Sequence, residues 1–139
     1  MSGVLIDTTV LIQAYQADDQ DPRTAKAKDA VEDLARRGTG YVAAQNLDEF
    51  AAVLLRRAQP PVEPARLRDA LAGMEDVFGV IRPGARTLST ALHGVEKHGL
   101  GFWDSLIWAV AHENGLVEVL TTDPPRAQIE GVRYRNPLG

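Results

Sequence analysis

Gly3–Thr9 reads GVLIDTT, and Val10, Leu11 and Ile12 follow at once. Val4, Leu5 and Ile6 form a short unbroken apolar run of bulky residues, the pattern of a strand buried on both faces. The run stops at Asp7, and Thr8 then opens a helical stretch through about Ala17. A strand that passes through a carboxylate into a helix is the junction of an α/β fold. It also poses a problem, because a carboxylate at the end of a buried strand is costly unless it is paired or hydrogen-bonded. Asp7 could simply cap the helix that follows, or it could hold a cation.

The same alternation repeats along the chain. Asp21 as N-cap, Pro22 at the first helical position and Gly38 as a stop delimit a helix with its apolar stripe on Ala27, Ala30, Val31 and Leu34. GYVAA is a second short strand, and QNLDEFAAVLLRRAQ is a helix ended by Pro60 and Pro61. VEPARLRDALAGMED is a further helix, VFGVIRP a third strand, and GARTLSTALHGVEKHG a helix closed by Gly99. FWDSLIWAVAHENG is helical and apolar nearly all round, which predicts a central place. LVEVLTTD is a fourth strand, and GVRYRNP reads as a fifth at an edge. Strands alternating with helices predict an α/β fold, with a mainly parallel sheet of four to five strands and right-handed crossovers. No repeat, low-complexity tract or long linker interrupts residues 1–139, so the whole chain reads as one domain.

Composition bounds the function. With 45% apolar and 24% charged residues, the chain has the make-up of a soluble globular protein. No apolar run approaches the roughly 18 residues of a membrane helix, and the N-terminus has no signal-peptide pattern. Cysteine is absent, which excludes disulfides and thiolate metal sites and suits a reducing cytoplasm. The net charge of −4 argues mildly against nucleic acid as a partner. That objection weakens once the positions of the acids are considered.

Asp7 and Asp123 each follow a strand, and ligands of open parallel sheets bind beyond the carboxyl ends of strands. The plainer reading is that both cap turns or helices. Glu49 lies in NLDEF; with Asn46 as N-cap it would complete a capping box, yet it shares a face with Ala52, Val53 and Arg56. Its neighbour Asp48 reads as a solvated first-turn acid. Asp104 lies in GFWDSLIW and shares a face with Ile107, Trp108 and Ala111, so a buried carboxylate there needs a partner. Helix N-termini beneath Glu49 and Asp104 would favour their charge. Four carboxylates in one cleft repel unless a cation intervenes. A hard divalent ion, Mg2+ or Mn2+, takes oxygen ligands and keeps waters, and such an ion activates water toward a phosphodiester. Setting those four acids aside leaves the rest of the chain balanced in charge.

Other residues have plainer readings. His93, His98 and His112 show no metal-ligand spacing and read as surface or interface histidines. Phe102 and Trp103 flank Asp104 and could stack on RNA bases, although core packing is the default. Arg56, Arg57, Arg82, Arg86, Arg126, Arg133 and Arg135 could grip phosphates or simply be solvated. Thr8 and Ser105 either orient carboxylates or satisfy helix starts.

In several of these segments the chain resembles the PIN-domain family, and specifically the VapC toxins of toxin–antitoxin pairs. VLIDTTVLIQAY is similar to the family's opening, AAQNLDEFAAVLLRR to its second acidic helix, and HGLGFWDSLIWAVAHENG to its third motif. VLTTDPPRAQIEGVRYRNPL is similar to its ending. The resemblance implies a metal-dependent endoribonuclease, usually dimeric, held in check by a cognate VapB-like antitoxin. It places the acidic quartet on Asp7, Glu49, Asp104 and Asp123, with a supporting hydroxyl on Thr121. The antitoxin would lie against Val10, Leu11, Tyr15, Leu54 and Leu55, residues whose plainer reading is core. Two positions depart from the pattern. Thr9 stands where an Asn is usual, and Pro125 where many relatives carry a further acid. A non-enzymatic binding module weakened at those positions is one alternative; a phosphatase-type protein with Asp7 as phospho-acceptor is another, though it lacks a well-placed lysine.

Overall fold

The computed structural model describes residues 3–16, 20–127, 129 and 131–139. Ala17, the end expected for the first helix, lies outside the described residues, as do Gln128 and Glu130 of the C-terminal motif. The elements run β1 (Val4–Ile6), α1 (Thr8–Tyr15), α2 (Pro22–Arg37), β2 (Gly40–Ala43), α3 (Ala44–Arg56), α4 (Pro64–Val77), β3 (Gly79–Ile81), α5 (Thr87–His98), α6 (Phe102–Glu113), β4 (Glu118–Leu120) and β5 (Arg133–Arg135). The five strands form one sheet in the order β3-β2-β1-β4-β5. Every pairing is parallel, including β5 beside β4.

The strand order explains where the layers fall. The chain moves outward from β1 through β2 to β3, then returns to place β4 on the other side of β1. With crossovers of one hand, a reversal of direction sends the later helices to the opposite face. The core divides accordingly. Val4 and Ile6 of β1 pack with Val42 and Leu120 against Val10, Leu11, Leu34, Phe50, Leu54 and Leu67, which come from α1 to α4. Leu5, between them in sequence, joins Val119 in a second cluster with Ala91, Ile107, Trp108, Ala109 and Val110 of α5 and α6. The period of two along β1 thus feeds both layers, and a polar residue at any of its three positions would face a core.

Local signals set the ends of the elements. The Asp21 carboxylate accepts a hydrogen bond from Arg23 N at 2.9 Å, and Pro22 starts α2. Gly38 and Gly99 close α2 and α5 at φ 67°, a left-handed conformation that glycine reaches without the Cβ penalty. In α2, Ala27 and Leu34 are buried and Ala30 and Val31 pack against the same cluster. The expected one-sided helix is therefore present.

α6 is central over most of its length, with Ser105 and Ile107 to Ala111 buried. Its contact with α5 is close: a Cβ on Gly94 would come within 2.8 Å of the Trp108 ring. The Ser105 hydroxyl donates to the Ala91 carbonyl, so it ties α6 to α5 and orients no carboxylate. The first turn of α6 departs from the expected burial. Phe102, Trp103 and Asp104 are exposed, because that turn overhangs the carboxyl edge of the sheet and not its face.

Candidate active site

β1 and β4 are neighbours although the chain leaves them in opposite directions, so a crevice opens beyond their carboxyl ends. Ligands of open α/β sheets bind at such a switch point. A cleft of about 290 Å3 lies there, bordered by Asp7, Glu49, Asp104 and Asp123 together with Thr8, Thr9, Ile12, Gln45, Val53, Trp103 and Ile107. The four acids reach it from four places: the end of β1, the second turn of α3, the first turn of α6 and the loop after β4.

Asp7 is both a cap and a cleft residue. Its Oδ1 accepts from Thr8 N at 2.8 Å and from Asn46 Nδ2 at 3.3 Å. Its Oδ2 accepts from the Thr121 hydroxyl at 2.8 Å. Burial pushes the Asp7 carboxyl above its ordinary value; the bonds from Thr121 and Thr8 oppose this, and the nearby Glu49 and Asp123 charges add to the rise. Asp104, though exposed, is raised as well, first by partial desolvation at the cleft and then by the Asp7 and Asp123 charges. The acids therefore sit within one electrostatic neighbourhood. The same field reaches β5, where the half-buried Tyr134 hydroxyl has no hydrogen-bond partner among the described residues and is held strongly in its neutral form by burial, Asp104 and Asp7.

Two residues outside the acidic set organise it. Asn46 is buried, 0% exposed. Its side-chain oxygen accepts from Ala43 N at 3.0 Å, while Nδ2 donates to Asp7 and, at 3.1 Å, to the Thr8 hydroxyl. Thr8 in turn donates to Glu49 Oε1 at 3.0 Å. A hydrogen-bonded line thus links Asp7, Asn46, Thr8 and Glu49. Asn46 is not the N-cap of α3: the cap lies three residues earlier, at Ala43, and the helix starts at Ala44. The capping box expected for Glu49 is absent for the same reason, and Glu49 lies beyond the first turn and its N–H groups. The signal for Asn46 was a lone amide after a buried strand, which reads equally well as a cap.

Thr9, in place of the amide expected there, uses its hydroxyl to accept from Thr122 N at 3.1 Å and lies 3.4 Å from the Thr121 hydroxyl. Thr121 also accepts from Asp123 N at 3.1 Å. The departure at Thr9 therefore keeps α1 tied to the loop that carries Asp123. Pro125 faces a different cleft, alongside Pro124, Arg126 and Ile129. Asp48 is turned from the acids and lines a small apolar hollow with Pro83, Leu106 and Val110.

Other expectations fall elsewhere. Val10, Leu11 and Leu54 are core residues and are not available as a cleft wall; Leu55 is 42% exposed. The apolar wall is instead Ile12, Val53 and Ile107. Among the described residues no Lys or Arg borders the cleft. Arg133 and Arg135 bind Glu118, and Arg86 lines a distant groove with His93 and His112. His112 stacks on Trp108 at 5.0 Å and His98 meets its edge at 5.1 Å.

Among the described residues no three His, Asp or Glu side chains close on one point as a ready metal cage. The acids form an open rim. An all-oxygen rim of mutually repelling carboxylates with two hydroxyls among them suits a hard divalent ion that retains several waters, and suits a thiophilic ion poorly.

A parallel α/β sheet with an acidic cleft at its switch point defines the class, and the sequence comparison gives the family: the chain belongs to the PIN domain family, whose model matches residues 4–130. No curated protein matches it in sequence. Among solved structures it is similar to VapC20 of Mycobacterium tuberculosis, described as a Sarcin-Ricin loop cleaving toxin, at 21% identity and TM-score 0.66 over 87% of this chain and 90% of that one. A toxin–antitoxin complex from Klebsiella pneumoniae contains a similar chain, at 21% identity and TM-score 0.73, covering 97% and 98%. Another is found in DNA-bound VapBC from Salmonella typhimurium, at 17% identity and TM-score 0.67, covering 99% of each. No helix among the described residues is long and apolar enough to cross a membrane.

Proposed function

We propose that this chain is a divalent-metal-dependent endoribonuclease and the toxin of a toxin–antitoxin pair. The observation that carries the reading is the convergence of Asp7, Glu49, Asp104 and Asp123 on one cleft with no basic side chain among its bordering residues. Carboxylates brought together without a counter-charge cost folding free energy, and a bound cation offsets that cost. Membership of the PIN domain family and likeness to VapC chains point the same way.

Asp7, Asp104 and Asp123 are the residues that would hold Mg2+ or Mn2+, with Glu49 as a further ligand or as the group that orients water. A bound ion supplies neutralisation of charge on the scissile phosphate and acidification of a water molecule. The chain's own residues do the rest. Thr8 and Asn46 hold Glu49 and Asp7 in fixed orientations. Thr121 donates to Asp7 Oδ2 and so fixes the carboxylate from the side of β4. Ile12, Val53 and Ile107 exclude water from one side, which strengthens electrostatic interactions within.

The partners implied are an RNA substrate, a VapB-like antitoxin in the same cytoplasm, and a second copy of the chain. An antitoxin Arg reaching the quartet would bridge two carboxylates where the metal binds. The test is purified protein incubated with total RNA in Mg2+ or Mn2+, and in excess chelator, followed by mapping of the ends. Cleavage in metal and none in chelator is expected. Equal cleavage in chelator, or none in any metal from folded protein, overturns the reading. Expressed alone, the chain should arrest growth, and the neighbouring small reading frame should rescue the cells and co-purify.

A further inference from the structure

The first turn of α6 breaks the pattern of the rest of that helix. Ile107 to Ala111 are buried, yet Trp103 is 64% exposed, more than any other large apolar side chain described, and Phe102 is 39% exposed. An indole left in water forgoes its burial free energy, so its position needs a cause. Trp103 stands on the rim of the acidic cleft, one residue from Asp104 and on the same lining as Ile12, Val53 and Ile107. The ring is also supported. Phe102 meets it edge to face at 5.0 Å and 75°, a favourable aromatic geometry.

The cleft therefore makes two demands on one ligand. Four carboxylates border the cleft, and they favour a cation and whatever anion that cation carries. Its rim is a flat π surface. Among the described residues no Lys or Arg borders it to grip a phosphate backbone, so affinity close to the acids must come from another source. A nucleotide meets both demands, with a phosphodiester at one end and a planar base at the other. Base–aromatic stacking is worth enough per base to replace several ionic contacts. Bases inside a duplex spend their faces on each other, whereas unpaired bases can be splayed onto a protein ring.

We propose that Trp103 is a stacking platform for a base of an unpaired RNA segment, next to the phosphodiester held at the acidic quartet. This rests on the nuclease reading above and adds the residue that holds the base beside the scissile bond. Trp103 binds substrate and takes no part in proton transfer.

The chain has two tryptophans, and Trp108 is buried, so the emission of Trp103 can be read by difference. Wild type, Trp103→Phe and Trp103→Ala are mixed with a single-stranded oligoribonucleotide and with its fully paired duplex in Mg2+, and fluorescence is read in a stopped flow before turnover. The single strand should quench the wild type, the duplex should not, and Trp103→Phe should lose the quench. In steady state, Trp103→Ala should raise KM about tenfold while kcat changes by less than about twofold. Trp103→Phe should restore most of the loss, and thermal unfolding of all three should match. A folded Trp103→Ala with unchanged KM overturns the proposal. So does unchanged KM together with loss of the antitoxin, which would make Trp103 a protein-docking residue. Quenching by single-stranded RNA without any cleavage would uphold the platform and sink the nuclease; cleavage without quenching would do the reverse.

Discussion

Asp7 and Glu118 are acids on neighbouring strands, and the sheet treats them in opposite ways. Glu118 opens β4, beside Val4 at the start of β1. It is 8% exposed, and Arg133 and Arg135 of β5 reach it at 2.8 and 2.6 Å. Burial alone would raise its carboxyl, but hydrogen bonds and charge from the two guanidinium groups outweigh this and hold it below the ordinary value. Asp7 lies past the other end of β1. Among the described residues its hydrogen-bond donors are neutral, from Thr8, Asn46 and Thr121, and its carboxyl is raised. An acid with its own cations is a structural pair. An acid fixed by neutral hydrogen bonds beside other acids has no counter-charge of its own among the described residues, and on the proposed reading a cation supplies it.

The sharpest way to break this contrast is to remove the charge at Asp7. Asp7→Asn keeps the shape and the cap acceptor. RNA cleavage should fall by more than the roughly 10–100-fold that an outer-shell change costs. The metal-free protein should at the same time be as stable as wild type or more so at pH 7. The pH dependence follows from the sign of the shift. A raised carboxyl means that the folded state binds more protons from about its ordinary 3.8 up to the raised value. Stability of metal-free wild type should therefore fall as pH climbs through that window and stay low above it. Asp7→Asn should flatten the curve, as chemical denaturation across pH would report. A steeper fall in the variant would show that Asp7 is not the strained acid.

Thr121→Val tests the support. It removes the donor to Asp7 Oδ2 and the acceptor for Asp123 N while preserving volume. Activity should drop roughly 10–100-fold, with the Mg2+ concentration for half-activity rising. Unchanged metal dependence would separate Thr121 from the site.

Glu118→Gln probes the other end of the contrast. Because both arginines are at least half exposed, solvent screening limits the loss to about 1 kcal/mol, measured by urea unfolding, with RNA cleavage intact. Here the sign reverses. The folded value lies below the ordinary 4.5, so this stabilisation is present above that pH and disappears as pH falls through the lowered value. The smallest effect should come from Asp48→Ala. It removes an exposed acid adjacent in sequence to Glu49 but turned toward another hollow. Stability should stay within about 0.5 kcal/mol and cleavage should be unaltered; damage equal to that of Glu49→Ala would mean the two acids share the site.

Much of the fold was legible because the chain announces it locally. Val4–Ile6 and GYVA are short apolar runs, EVL is apolar after Glu118, and turn or helix signals bound all three, so they read as strands, while Pro22, Gly38 and Gly99 punctuate the helices between them. Asp7 was legible because a carboxylate ending such a strand is conspicuous. Asn46 was not, since a buried amide network and a helix cap use the same residue type. Trp103 was misread as core by default, because helical periodicity gives a side chain's direction around the axis and not what stands opposite it.

The amino-acid sequence by itself determined the alternation of strands and helices, and with it a parallel sheet whose carboxyl edge collects polar residues. Only the tertiary structure decided that β4 returns to lie beside β1. That placement brings Asp123 and Thr121 to Asp7 across more than a hundred residues. The physical reason is that strand order depends on long-range pairing, in which loop closure and the burial of both sheet faces compete, and no local pattern in the chain encodes that choice.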